Sequence, residues 1–82
     1  MRIKCLYRKK LKMTPNKIAS QAVHAIIGLG VTDPLCTVIV LGVSDAQFNG
    51  HFLSFDCYVH EDLGYTEVSH GTKTCLAFFE ER

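Results

Sequence analysis

The sequence predicts a single α/β domain whose sheet has four strands and is partly parallel. Two observations favour this fold class. Apolar runs typical of strands alternate with segments of helical periodicity, and no helical segment separates the last two runs, which are therefore expected to pair antiparallel. The length of 82 residues fits one domain. A chain of this size buries only about 60% of the surface that its unfolded form exposes, so a modest core is expected.

The first strand and the first helix have the clearest local signals. Residues 2–8 read as a strand, residues 9–13 as a connection, and Thr14-Pro15 as a helix start. A threonine hydroxyl can accept a backbone N–H at the cap, and proline in the first turn needs no donor. The helix is predicted to end near Gly30. Its apolar face contains Ile18, Ala22, Ala25, Ile26 and Leu29, and a separate polar stripe contains Lys17, Gln21 and His24.

The second half of the chain supplies the other three strands. Residues 35–43 are nearly continuously apolar, which predicts a strand covered on both faces. Ser44 or Asp45 can cap a short second helix, although Asn49-Gly50 favours a single turn or a loop instead. Residues 55–60 and residues 74–79 are the predicted third and fourth strands.

Composition excludes several classes of protein. There is no apolar run of about 18 residues, so no membrane span is expected. Polar residues interrupt what would be the apolar part of a signal peptide, and a cytoplasmic location is the expectation. Four cysteines lie in separate apolar runs without C-x-x-C spacing and are interpreted as reduced core residues: Cys5, Cys36, Cys57 and Cys75. The histidines lack metal-ligand spacing, so no metal is predicted.

Charge is distributed unevenly along the chain. The net charge is only +1, yet seven of the nine basic residues lie within the first 17 positions, and every acidic residue lies at Asp33 or later. So small a net charge does not indicate bulk binding of nucleic acid. It does allow a local basic patch that contacts a few phosphates.

Residues 61–72 form a predicted loop that is long for a hairpin and rich in polar groups. Such loops are often functional, although surface irregularity is an equal alternative. In the predicted fold the exit of the first strand, the start of the helix and Asp62 lie at one edge of the sheet. The sequence has no nucleophile elbow, phosphate-binding loop or dinucleotide fingerprint. The residues alone therefore predict an anion-facing site, and the alternative for the helix is a merely solvated polar face.

Two segments resemble a known family. Residues 11–25, LKMTPNKIASQAVHA, are similar to the pattern L-K-M-G-K-G-K-I-A-A-Q-x-x-H-A of the type 2 peptidyl-tRNA hydrolases. Residues 62–77, DLGYTEVSHGTKTCLA, are similar to that family's D-A-G-x-T-Q/E-V/I-x-P-G-T-x-T-V-L-A. The two segments occur in the family's order, and the resemblance extends over nearly the whole chain.

The resemblance implies a fold and an activity. The implied fold is a three-layer α/β/α sandwich with a four-stranded mixed sheet in the order 2-1-4-3, its last strand antiparallel. The implied activity is hydrolysis of the ester between a peptide and the 3′ ribose of tRNA, without metal or cofactor. Ester cleavage needs an activated water and stabilisation of an oxyanion.

The resemblance also implies roles for residues. Asp62 would orient or deprotonate water, or fix Lys17, which would hold a phosphate or the oxyanion, and the choice of base stays open. The implied catalytic set is Lys17, Asp62, Thr66, Thr74 and His24. The implied substrate-binding set is Arg8, Lys9, Lys10, Lys12, Gln21, Gly71 and Thr72. For each residue the alternative is an ordinary turn, strand, packing or solvated position.

The sequence departs from the family's pattern in several places. Lys10 replaces an acidic residue, Thr14-Pro15-Asn16 replaces Gly-Lys-Gly, and His70 replaces a proline. The second helix is expected to be a stub, and the family's helix after the last strand is expected to be absent. These losses should expose apolar surface, which a homodimer or another partner would cover. They also support an alternative function, a catalytically impaired RNA- or protein-binding module on the same fold.

Overall fold

The elements of the fold follow the predicted order with shifted boundaries. The structure is a computed structural model that describes residues 1–54, 56–62 and 71–80. The strands are β1 (Arg2–Arg8), β2 (Thr37–Val43), β3 (Tyr58–Glu61) and β4 (Lys73–Phe79). The helices are α1 (Pro15–Leu29) and α2 (Asp45–Ser54), and a 3₁₀ turn (Lys9–Leu11) follows β1.

The four strands form one mixed sheet in the order β2-β1-β4-β3. β2 is parallel to β1, and β4 lies antiparallel to both β1 and β3. The predicted α/β class, the strand order and the antiparallel last strand are confirmed. Because β1 and β4 are the central strands, their side chains supply most of the core.

Alternating side chains of the central strands enter two separate apolar clusters. Ile3 and Cys5 of β1 pack with Ala22 and Ala25 of α1. Leu6, which points to the opposite face of the strand, packs with Phe48 of α2. Each helix therefore buries its apolar side chains against a different part of the sheet's core.

The structure corrects the prediction for the second strand. It begins at Thr37 rather than at Leu35, whereas its place at an edge of the sheet follows the predicted strand order. Val38, Val40 and Leu41 are each about two-fifths exposed, at 38%, 42% and 43%. A continuous apolar run is typical of a strand covered on both faces, but here no described element covers β2 fully. The expectation of burial on both faces is wrong.

The second helix is a ten-residue helix rather than a stub or a single turn. Ser44 and Gln47 bond reciprocally at its start. The N–H of Gln47 donates to Ser44 Oγ (3.1 Å) and the N–H of Ser44 donates to Gln47 Oε1 (3.0 Å). This capping box and the burial of Phe48 outweigh the unfavourable propensity of Asn49-Gly50.

The remaining differences concern β3, β4 and the cysteines. β4 begins at Lys73, one residue earlier than predicted. β3 begins at Tyr58 instead of residue 55, which lies outside the described residues, and it includes Glu61, predicted to be in the loop. All four cysteines are free, as expected. Only Cys5 and Cys75 are buried, whereas Cys36 and Cys57 are half-buried because they lie just outside β2 and β3. Among the described residues no helix combines the length and apolar character needed to cross a membrane.

Candidate functional site

The turn between β1 and α1 positions the start of the helix as predicted. Lys12 adopts a left-handed conformation (φ 52°), unusual for a residue with a side chain, and its N–H donates to the carbonyl of Lys9 (3.1 Å). Thr14 is the N-cap, and its hydroxyl oxygen accepts the N–H of Lys17 (3.3 Å). Pro15 follows in the first turn. The first turn of α1 is therefore fixed by its own sequence, which orients Lys17.

Lys17 and Asp62 form the central contact of the site. The ammonium Nζ of Lys17 lies 2.8 Å from Oδ1 of Asp62, and each side chain is only 9% exposed. The predicted meeting of these two residues is confirmed. Because the pair is nearly buried, solvent screens its attraction less than that of a surface pair.

The backbone of Asp62 is held by two hydrogen bonds to residues at the far end of the loop that follows it. Its N–H donates to the carbonyl of Thr72 (2.9 Å), and its own carbonyl accepts the N–H of Gly71 (2.6 Å). Gly71 has a φ of 80°, a conformation that favours glycine. In the structure Gly71 and Thr72 thus fix the backbone of Asp62, whereas their predicted contact with substrate stays a prediction.

One turn further along α1, Gln21 meets Thr74. The hydroxyl of Thr74 donates to Gln21 Oε1 (2.6 Å), and the thiol of Cys75 donates to the backbone carbonyl of Gln21 (3.1 Å). Gln21 is 2% exposed and Thr74 is fully buried. The interpretation of this stripe as a solvated face is therefore wrong at Gln21, which lies in the interior against β4.

The third residue of the polar stripe, His24, stacks its imidazole ring on that of His60. The rings of His24 and His60 are nearly parallel, at 7°, with centroids 4.8 Å apart. Burial lowers the pKa of His60, as do the charges of His24 and Lys17, while Asp62 acts in the opposite direction. His60 is thus favoured in its neutral form beside the Lys17–Asp62 pair.

The three residues of the polar stripe therefore each contact a different residue of the β3–β4 side of the sheet. Lys17 contacts Asp62, Gln21 contacts Thr74, and His24 contacts His60. Sequence reasoning missed His60. Its position two residues before Asp62 gave no signal of its own, because the register is irregular between His60 and Glu61 and the contact with His24 is non-local.

The predicted basic patch divides into paired and unpaired residues. Arg8 donates to both carboxylate oxygens of Asp45 (2.9 and 3.0 Å) and to the carbonyl of Lys73 (2.9 Å). This contact lowers the pKa of Asp45 and raises that of Arg8. Arg8 thus has a structural role at the start of α2, and its predicted contact with RNA has less support.

Three lysines remain exposed at the same end of the sheet as the site: Lys9, Lys10 and Lys12. Within the described part of the chain none of the three forms an ion pair. Arg2 and Lys4, by contrast, both pair with Glu80 (2.9 and 2.7 Å). The cationic surface is therefore narrower than the sequence predicted, and it is concentrated in the turn that leads to α1.

Two further observations bound the chemistry. Thr66 lies outside the described residues, so its predicted role stays a prediction. No group of three or more histidine, cysteine, aspartate or glutamate side chains suited to a metal ion occurs among residues 1–54, 56–62 and 71–80. The described site thus offers an ammonium, a carboxylate, a hydroxyl and two imidazoles, which suit binding of an anion and polarisation of water.

Comparison with known proteins does not assign the chain. No protein-family model matches it, and no match is found among curated proteins. The resemblance to the type 2 peptidyl-tRNA hydrolases therefore rests on the two sequence segments.

Proposed function

We propose that this chain hydrolyses the ester between a peptide and the 3′ ribose of tRNA. The observation that supports this function best is the 2.8 Å contact between Lys17 and Asp62. It joins the two segments that resemble the hydrolase family, although 45 positions separate the residues. The reaction is proposed to take place in the cytoplasm without metal or cofactor.

The chemistry we propose gives the charges of Asp62 and Lys17 different roles. Asp62 orients the attacking water and holds Lys17, whose ammonium stabilises the developing oxyanion. An ammonium has three N–H donors, so the contact with Asp62 is compatible with a second contact to substrate. The position of Lys17 in the first turn of α1 adds the favourable potential of a helix N-terminus for an anion.

The arrangement of the helices supports the finer fold that this function would need. Ala22 of α1 and Phe48 of α2 pack against core residues that alternate along β1 and β4. This alternation favours a three-layer α/β/α sandwich. In such a sandwich the contacts that Lys17, Gln21 and His24 make from α1 would lie beside β3 and β4.

Recognition of tRNA is proposed to use Lys9, Lys10 and Lys12. These side chains are exposed and precede α1 directly. Contacts from lysine to phosphate carry no sequence information, and they weaken as salt concentration rises. The affinity for tRNA should therefore be sequence-independent and sensitive to salt.

A second candidate is a module that binds RNA or protein without catalysis. The burial of the Lys17–Asp62 pair favours it, because two charges at 9% exposure that neutralise each other can have a structural role without catalysis, each preventing the other from being buried uncompensated. The two candidates differ in turnover and share the basic surface.

Single-turnover hydrolysis of a labelled N-acetylaminoacyl-tRNA separates the candidates. The protein is held in excess, and binding of the same tRNA is measured in parallel over a range of salt concentrations. Release of the labelled N-acetylamino acid above the spontaneous rate is expected for the hydrolase. Salt-sensitive binding without release would favour the binding module, and neither binding nor release would exclude both RNA-directed functions.

A further inference from the structure

The two edges of the sheet differ in how they are protected against pairing with another strand. β3 has four residues, ends in the charged Glu61 and has an irregular register between His60 and Glu61. Short length, charge and bulges are the usual protections of an edge strand. β2 has seven residues, Thr37–Val43, with no charge, no proline and a regular register against β1.

The outward-pointing backbone groups of β2 can be assigned from its contacts. The N–H of Thr37 donates to the carbonyl of Met1 (3.0 Å), so Thr37 directs its backbone groups toward β1. Because backbone groups alternate in direction along a strand, Val38, Val40 and Gly42 direct theirs away from β1. Within the described residues no strand pairs with this edge.

Exposed apolar side chains flank these backbone groups. Val38 and Val40 lie beside Ile3 and Cys5 of β1, on the face of the sheet where α1 packs against β1. Leu41 lies on the opposite face. Leu35, just before the strand, is 89% exposed. A partner that adds a strand here would satisfy the outward backbone groups and cover apolar surface on both faces.

The charges at the two ends of β2 indicate in which orientation a second strand would fit. Asp33 is exposed near the beginning of β2. The side chain of Lys9 lies against Gly42, near the end of β2. A Cβ atom added to Gly42 would come within 2.7 Å of Lys9 Cγ. An antiparallel second copy would bring the Lys9 end of one chain to the Asp33 end of the other. A parallel copy would bring like charges together.

We propose that two copies of this chain pair antiparallel through β2 and form one continuous eight-stranded sheet. The two-fold axis passes between the two Val40 residues, so that Val40 faces its counterpart and Val38 faces Gly42 of the other copy. All three positions have outward backbone groups, and each facing pair can form two N–H to carbonyl hydrogen bonds. The same patch serves both copies, as a two-fold dimer requires. The proposal does not depend on the hydrolase function.

Sedimentation equilibrium over a range of protein concentrations tests this interface. The unaltered chain is expected to form a dimer, and Val40→Lys should raise its dissociation constant at least about tenfold, because two lysines would face each other at the axis. Leu53→Lys is the matched control, since Leu53 is an exposed apolar residue of α2. Val38→Lys is the second test variant, and circular dichroism checks that each variant is folded.

Hydrogen exchange provides an independent readout. In the dimer the amides of Val38, Val40 and Gly42 should exchange more slowly as protein concentration rises, and Val40→Lys should remove that dependence. A chain that stays monomeric at millimolar concentration would overturn the proposal. So would a dimer that both lysine variants leave intact, or one in which these three amides stay unprotected.

Discussion

Lys17 and Asp62 form an almost buried ion pair that joins the first turn of α1 to the end of β3, with 2.8 Å between Nζ and Oδ1. Neither residue could be placed there by local structure alone, because 45 positions separate them. Loss of one partner from a buried pair is costly, since it leaves the other charge uncompensated. Variants of this pair therefore need a check of folding before any effect on activity is interpreted.

Replacement of Thr74 tests the buried contact next to that pair. Thr74→Val keeps the shape of the side chain and leaves Gln21 Oε1 without the hydroxyl that donates to it. We expect the free energy of unfolding to fall by about 1–3 kcal/mol, as measured by urea denaturation. Thr32→Val is the control, because Thr32 is exposed and lies outside β2, and its effect should stay within about 0.5 kcal/mol. Equal stability of the two variants would exclude a structural contribution from the Gln21–Thr74 contact.

The stacked histidines predict a dependence of stability on pH. The pKa of His60 is lowered in the folded chain, chiefly by burial and by His24. The unfolded chain therefore binds a proton below about pH 6.5 that the folded chain resists. Stability should be fully retained above that pH and should fall as pH decreases toward the lowered pKa. Chemical denaturation at several pH values measures this trend, which His60→Gln should reduce.

The cause of the shift in the pKa of His60 can be tested separately. His24→Gln removes the neighbouring charge and keeps a polar side chain on α1. NMR titration of His60 should then give a higher pKa than in the unaltered chain. An unchanged or lower pKa would show that the stacked ring contributes nothing to the shift.

Binding of tRNA should depend on the lysines that precede α1. Replacement of Lys9, Lys10 or Lys12 by glutamine should lower the affinity similarly for different tRNA sequences. Each replacement should also reduce the slope of log affinity against log salt by about 0.7–0.9. Lys4→Gln is the matched control, because Lys4 already pairs with Glu80. A control variant that loses as much affinity as the others would contradict this assignment of the binding surface.

The capping box predicts the stability of α2. Ser44→Ala removes the oxygen that accepts the N–H of Gln47 and should cost about 0.5–2 kcal/mol in the free energy of unfolding. Ser44→Asp supplies another capping oxygen and should retain most of that stability. Thermal unfolding of the three proteins measures the difference, and a Ser44→Ala variant as stable as the original would show that the cap is not needed.

Local sequence signals predicted the parts of the fold that local interactions determine. Thr14 and Pro15 mark the start of α1, and the spacing of Lys17, Gln21 and His24 places them on one stripe. That spacing could not show which way the stripe faces, because the orientation of a helix on a sheet depends on packing. Gln21 is buried since it meets Thr74, a residue of another element.

Non-local interactions account for the other differences. The apolar run of β2 predicted coverage on both faces, but how far other elements cover an edge strand depends on their packing, which the run does not encode. Asn49-Gly50 reduces helix propensity, but α2 forms because Phe48 is buried and Ser44 caps its start. His60 had no signal of its own before its position beside His24 was known.

Single-turnover hydrolysis of N-acetylaminoacyl-tRNA by Asp62→Asn tests the central claim most directly. The comparison variant is Glu80→Gln, which alters an ion-paired carboxylate outside the site. With both variants folded, we predict that Asp62→Asn lowers the rate at least about 100-fold and that Glu80→Gln keeps the original rate. A folded Asp62→Asn protein that hydrolyses the ester as fast as the unaltered chain would contradict the proposed role of the Lys17–Asp62 pair.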